Sequence, residues 1–243
     1  MLKVNYRLNI ESYWEGVTQF DLEAGAGAYP AYHEMMRRVS SHYELNQTLV
    51  TEAFAALSPN NDYVGNLRSL VSLVEGYKLG TPYTVTTYRA CADRAMAYLD
   101  GSVDFLSTVK GKKITAFRNC IVDPVGCTDF VLDGHMAAVA LGQNLTMKQA
   151  VFAIAQHKYK NIERPYMCFA KDIAVTPSVV QASLWYSRKR REGTLHTLQV
   201  DACRDTHRQL FELSEIPPYP HSIKEGVANV AAATVQAQHV FEF

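Results

Sequence analysis

Apolar residues in this chain recur almost everywhere at three- and four-residue steps, and that period leaves little choice of fold. Leu49, Val50, Ala53, Phe54 and Leu57 share one helical face, as do Val64, Leu67, Leu70, Val71 and Val74. Tyr88, Cys91, Ala92, Ala95 and Tyr98 repeat the pattern along a helix expected from about Thr84 to Leu99. Strand-like alternation is confined to Leu2, Val4, Tyr6, Leu8 and Ile10. An all-α architecture follows.

Punctuation sets the boundaries. Residues 1–30 read as an irregular N-terminal lead-in, 31–215 as a helical body, and 216–243 as a C-terminal linker and helix packing on that body. The linker is the stiff Ile216-Pro217-Pro218-Tyr219-Pro220, and the last helix spans Val227 to Val240. Within the body a helix is expected from Pro30 to about Tyr43, and Asn46 is placed to cap the next. Asn61 or Asp62 caps another, Leu145 to about Tyr159 forms a further one, and Thr176-Pro177-Ser178 opens one with proline at the favoured first position.

Composition limits the functional classes. With 243 residues and 48% hydrophobic content the chain can bury a proper core as one domain or a domain with an appendage. Lys plus Arg and Asp plus Glu both number 24, so a nucleic-acid surface would have to be a local patch. The five cysteines include no C-x-x-C pair, which disfavours a disulfide framework or a zinc ribbon and fits a reducing cytoplasm. No apolar run has the length of a membrane span.

The most informative stretch runs from Gly111 to Gly142. Ile114, Phe117 and Ile121 mark a helix that begins near Lys113, and Asp123, Pro124 and Gly126 break it. Apolar Phe130, Val131 and Leu132 then lead to Asp133, after which Met136, Val139 and Ala140 resume the helical period. Asp133 is therefore placed at a helix start, where unpaired N–H groups and the helix dipole favour a carboxylate.

These residues resemble the helix-hairpin-helix DNA glycosylases, whose core reads hairpin, G-x-K, apolar helix, loop, and an apolar residue followed by D-x-H-[VM]. The matching residues are Gly111-Lys112-Lys113 and Leu132-Asp133-Gly134-His135-Met136. Upstream, Leu57-Ser58-Pro59-Asn60-Asn61-Asp62 resembles the family's L-S-x-Q-x-x-D turn. The likeness covers roughly residues 45 to 142 and extends to uncharacterised phage and prokaryotic proteins with A-x-L-S-P-N and a later G-x-K. It implies a helical glycosylase fold acting as a monomer on double-stranded DNA. The enzyme would flip out a damaged or modified base and cleave its N-glycosidic bond, leaving an abasic site.

The resemblance also assigns roles. Asp133 is the implied catalytic carboxylate, because cleavage builds positive charge on the sugar that a fixed anion stabilises. An aspartate at a helix start also serves simply as a cap. Lys113 is the implied amine nucleophile of a bifunctional enzyme with abasic-site lyase activity, and Lys112 takes that role if the register slips by one. Lys110, Gly111 and Lys112 are implied DNA-backbone contacts, although Leu106 to Gly111 lacks the proline and one glycine of the usual hairpin. Some family members bind a monovalent cation there; no other cofactor is implied. Asn60, with Asn61 beside it, takes the place of the glutamine that fills the space left by an extruded base. Tyr63, Tyr83, Tyr88, Trp14 and Trp185 are available as walls for that base, or as core.

Two other functions fit the same residues. One is a glycosylase-fold enzyme of phage pyrimidine hypermodification, transferring a group to the base. The other is a non-catalytic DNA-binding or inhibitor module. The base itself is not written in these motifs.

Overall fold

The computed structural model describes residues 4–196, 198–199 and 201–205, and among them every regular element is a helix, with no strand. The helices are α1 (Tyr6–Trp14), α2 (Gln19–His42), α3 (Gln47–Leu57), α4 (Tyr63–Leu79), α5 (Arg89–Leu99) and α6 (Phe105–Thr108). They continue as α7 (Lys112–Val122), α8 (Gly134–Leu141), α9 (Met147–His157), α10 (Tyr159–Asp172) and α11 (Pro177–Arg191). The linker and helix expected in 216–243 lie outside the described residues.

Two compact units divide the chain. One comprises 4–28 and Val125–His196; the other comprises Tyr29–Pro124 with the described residues between 198 and 205. The first unit is thus discontinuous in sequence, and α2 begins in one unit and ends in the other.

In the first unit the expected irregular lead-in is replaced by α1 and the start of α2. Asn5 caps α1 by accepting from Leu8 N at 3.2 Å, and Asp21 accepts from Thr18 N at 2.9 Å as α2 begins. Gly25 and Pro30, which look like breakers, lie inside α2. Gly25 is there because of a close helix approach: a Cβ would sit 2.6 Å from the backbone N of Ser183 in α11 and 2.9 Å from its Cα. Only glycine leaves that room.

Ile10, Leu22, Phe130, Met136, Tyr166 and Leu184 belong to the core of this unit. Tyr166 is fully buried, stacks on Phe130 at 4.4 Å and donates its hydroxyl proton to Met136 O at 2.7 Å, so its polar tip is satisfied. The run Arg188 to Arg191, readable as a solvated helix end, instead clasps its own unit. Arg190 pairs with fully buried Asp21 at 2.6 Å. Arg191 donates to Tyr13 O at 3.1 Å and lies 4.2 Å over its ring. Burial alone would raise the Asp21 carboxyl, but hydrogen bonds from Arg190 and Thr18 outweigh it and hold it below the usual carboxylate range.

The second unit is built around α3, buried along its length from Val50 to Leu57, whereas its sequence suggested a single apolar face. Even Glu52 is buried there, and it survives by accepting from Arg118 of α7 at 2.8 Å. Tyr32, Phe54 and Phe117 pack ring against ring beside it, with centroids 5.2 to 5.8 Å apart. Caps follow the sequence here: Asn46 accepts from Thr48 N at 2.8 Å, and Asp62 from Gly65 N at 2.7 Å.

The helix expected from Thr84 begins instead at Arg89. Residues 81–88 are non-helical, and Tyr88, expected in the core, is 59% exposed. The reason is side-chain competition for the backbone: Ser72 Oγ accepts from Thr84 N at 2.9 Å, and Ser69 Oγ from Thr86 N at 3.0 Å.

Candidate active site

The sequence-derived candidates divide between the units. Asp133 and His135 belong to the first; Asn60, Asn61, Lys110, Gly111, Lys112 and Lys113 belong to the second.

Asp133 is the N-cap of α8, with extended backbone and Oδ1 accepting from Met136 N at 2.9 Å. It is half-buried, and no hydrogen bond to its other oxygen is recorded among the described residues. One oxygen thus serves the helix and the other is left for something else. The apolar run before it, Phe130 to Leu132, is anchored by Tyr159 of α10, whose hydroxyl donates to Phe130 O and accepts from Leu132 N, both at 3.3 Å. Burial pushes the Tyr159 phenol well above its ordinary range, so it remains a neutral bridge. Beyond the cap, Arg188 donates to His135 O at 3.4 Å, and Trp185 meets the His135 ring edge-on at 6.0 Å. The backbone on either side of the carboxylate is thus held from α10 and α11, and the carboxylate itself from α8.

His135 Nδ1 is buried with no partner among the described residues. Burial lowers the pKa of the imidazole against the pull of Asp133, and Lys189 and Arg188 push it further down. In the pH window between this lowered value and about 6.5, the unfolded chain binds the extra proton and the native protein does not. The contribution is therefore complete above about pH 6.5 and is lost as the pH falls below it. Urea midpoints measured from pH 7 to 5 are expected to decline, and His135→Asn should flatten that decline. Asp21 and Glu34, both held below the ordinary carboxylate range, weaken the fold only at lower pH. An undiminished slope in His135→Asn would assign the decline to another group.

In the second unit, α6 and α7 are joined by the tight turn Val109-Lys110-Gly111. Asp104 caps α6 through Ser107 N at 2.7 Å, and Gly111 is the N-cap of α7 without a side-chain cap. Gly111 has ordinary negative φ, and a Cβ there would touch only the Ile114 side chain at 3.6 Å. The protein's own packing does not demand glycine at this position. Lys110 and Lys112 are exposed, and Lys113 is half-buried at the second position of α7.

The Ser58 to Asp62 turn connects α3 to α4, as the sequence suggested. Asn60 is exposed at its tip with φ of +53°, a left-handed conformation that asparagine tolerates better than most residues. Asn61 faces inward and donates to Leu57 O at 3.3 Å. What holds this turn lies outside its own motif: Thr86 Oγ1 donates to Asn61 Oδ1 at 2.8 Å and Thr87 Oγ1 to Pro59 O at 2.5 Å.

Of the aromatic candidates, Trp185 meets a residue of the Asp133 motif, while Trp14 packs on Phe169 at 5.4 Å. Tyr63 is half-buried with its phenol pushed up to about 12 by burial and nearby Asp62, and Tyr83 lies beneath Arg89 at 5.6 Å. Two open hollows of about 480 and 430 Å³ lie on the first unit, around Phe152 and around Arg164, and neither is lined by Asp133. Among the described residues no group of three or more His, Cys, Asp or Glu is placed to hold a metal ion, and no helix is long and apolar enough to cross a membrane.

No curated protein and no solved structure matches this chain significantly. A family model matches residues 2–192, which take in both the Asp133 cap and the Asn60 turn: the chain belongs to a family of unknown function, DUF7178.

Proposed function

We propose that the protein is a DNA glycosylase that uses Asp133 to release a damaged or modified base from double-stranded DNA. The observation that carries this reading is the half-engaged carboxylate: Oδ1 is fixed by Met136 N, and no hydrogen bond to Oδ2 is recorded among the described residues. A fixed anion on a helix cap is preorganised, so it can stabilise a developing sugar cation without reorganising when the bond breaks. In the proposed reaction the C1′–N bond breaks with its electron pair leaving on the base. A water oxygen then bonds to C1′, and Asp133 accepts the proton that water sheds. Trp185 supplies an aromatic wall beside the motif.

Support from the second unit is of a different kind. Gly111 is small where the fold allows a larger residue, which leaves the α7 N-terminus open to a phosphate. Lys110 and Lys112 flank it in solvent, forming the local basic patch that an electrically balanced chain requires. Lys113 is the candidate for a covalent step: its amine bonds to C1′ as the base leaves with the glycosidic electron pair, the nitrogen gives up a proton, and the C1′–O4′ bond then opens, its electron pair and a proton going to O4′, to leave a Schiff base.

Mass spectrometry of bases released from duplexes of different modification state tests the proposal. Release of a free base with matching abasic sites is the expected result. Transfer of a labelled group to a pyrimidine that stays attached would replace hydrolysis by base modification. Binding without any product would reduce the protein to a DNA-binding module.

A further inference from the structure

The Asn60 turn is fastened by a side-chain lock whose parts lie well apart in sequence. Thr87 Oγ1 donates to Pro59 O at 2.5 Å on one side of Asn60, and Thr86 Oγ1 donates to Asn61 Oδ1 at 2.8 Å on the other. Thr86 is itself fixed to α4, because buried Ser69 Oγ accepts from its backbone N and lies 3.0 Å from its hydroxyl. Asn61 is tied back to α3 through Leu57 O, and Asp62 is tied forward to Gly65 N. A Cβ on Gly65 would come within 2.7 Å of Asn61 Oδ1 and 2.9 Å of Thr86 Oγ1, so glycine leaves the space in which the lock closes.

Every neighbour of Asn60 in the turn is thereby held, while the amide of Asn60 makes no recorded hydrogen bond among the described residues. Its backbone stays in the left-handed region, which is unfavourable for a non-glycine residue and persists only where the surroundings enforce it. A surface asparagine with no structural partner gains nothing from being kept so; a residue that must enter a confined space does, because ordering it beforehand removes that cost from binding.

We infer that Thr86 and Thr87 are positioning residues that preset Asn60 as a rigid probe for the gap left in a duplex by an extruded base. This inference rests on the glycosylase reading. It makes residues 81–88, which carry no motif of their own, part of the recognition apparatus. The pairing amide is short, so its placement has to come from the turn.

The test uses the full chain, its Thr87→Val and Thr87→Ser variants, and two duplexes, one unmodified and one with a tetrahydrofuran abasic analogue. Backbone order parameters at residues 60–62 are expected to fall from the rigid range toward the flexible one in Thr87→Val and to return in Thr87→Ser, which keeps the hydroxyl. Preference for the abasic duplex over the unmodified one should fall about tenfold in Thr87→Val, with affinity for the unmodified duplex within twofold of the parent. Lowered order with an unchanged preference would make the lock purely structural and overturn the inference. Unchanged order would overturn it by showing that no lock exists. A parent protein with no preference for the abasic duplex would remove the glycosylase reading and the probe with it, whereas the order parameters would still report on the lock.

Discussion

Asp133→Asn is expected to lower base release by about a thousandfold or more while leaving DNA affinity and thermal stability close to those of the parent, because it removes a charge aimed at the transition state. Asparagine caps helices about as well as aspartate, so the bond from Met136 N survives the exchange. Asp133→Ala removes charge and cap together and should lose base release equally, with a stability loss of about 1 kcal/mol. Capping and catalysis are thereby separated in one pair of variants, read by product formation and by urea midpoint. Lys113→Gln belongs beside them. Base release should survive in it while borohydride trapping on abasic DNA is lost, since Asp133 can activate water without an amine. Full activity in Asp133→Asn would leave the carboxylate as a helix cap and nothing more.

The largest stability effect is expected at Gly25. Alanine normally favours a helix interior over glycine by about 0.5–1 kcal/mol. Here its methyl would meet the Ser183 main chain at 2.6 to 2.9 Å, and a backbone cannot swing aside as a flexible side chain can. Overpacking of this sort costs about 1–3 kcal/mol and occasionally more, so Gly25→Ala should lower the melting temperature by several degrees. Gly111→Ala is the internal control, since its methyl reaches only Ile114 at 3.6 Å and stability should hold. A Gly25→Ala protein as stable as the parent would mean that α11 can retreat from α2 at no cost.

Gly25 also shows why part of the fold could not be read in advance. Gly25, Gly27 and Pro30 are local breakers by type, and their presence made residues 1–30 look irregular. What Gly25 satisfies is a close approach to Ser183 of α11, far along the chain, which no local pattern contains. The 84–87 stretch failed for a related reason. Its threonines fit an amphipathic helix by spacing, but Ser69 and Ser72 offered their backbone and hydroxyls better partners outside one. Helix α10 buries Ile162, Tyr166, Phe169 and Ala170 and follows α9 across a single residue, Lys158, so the joint is not marked by the usual glycine. Caps were different. Asn46, Asp62 and Asp133 act within three residues of themselves, and each stands where its own sequence neighbourhood put it. The candidate site was legible to the same depth: Asp133 and Asn60 from short motifs, but not Tyr159, Arg188, Thr86 or Thr87, which reach them from later elements.

The clasp at the end of α11 has a kinetic meaning. Arg190 meets Asp21 across 169 positions and Arg191 meets Tyr13 across 178, while Tyr29 to Pro124, the larger part of the other unit, is one uninterrupted stretch. During synthesis that stretch can begin to form its own contacts while α1 still lacks partners in α8, α10 and the α11 terminus. The apolar side of α1 must then wait for most of the chain to leave the ribosome. Closing so long a loop before any contact rewards it makes the docking of α1 the slow step of folding, and the stage at which a chaperone would have most to hold.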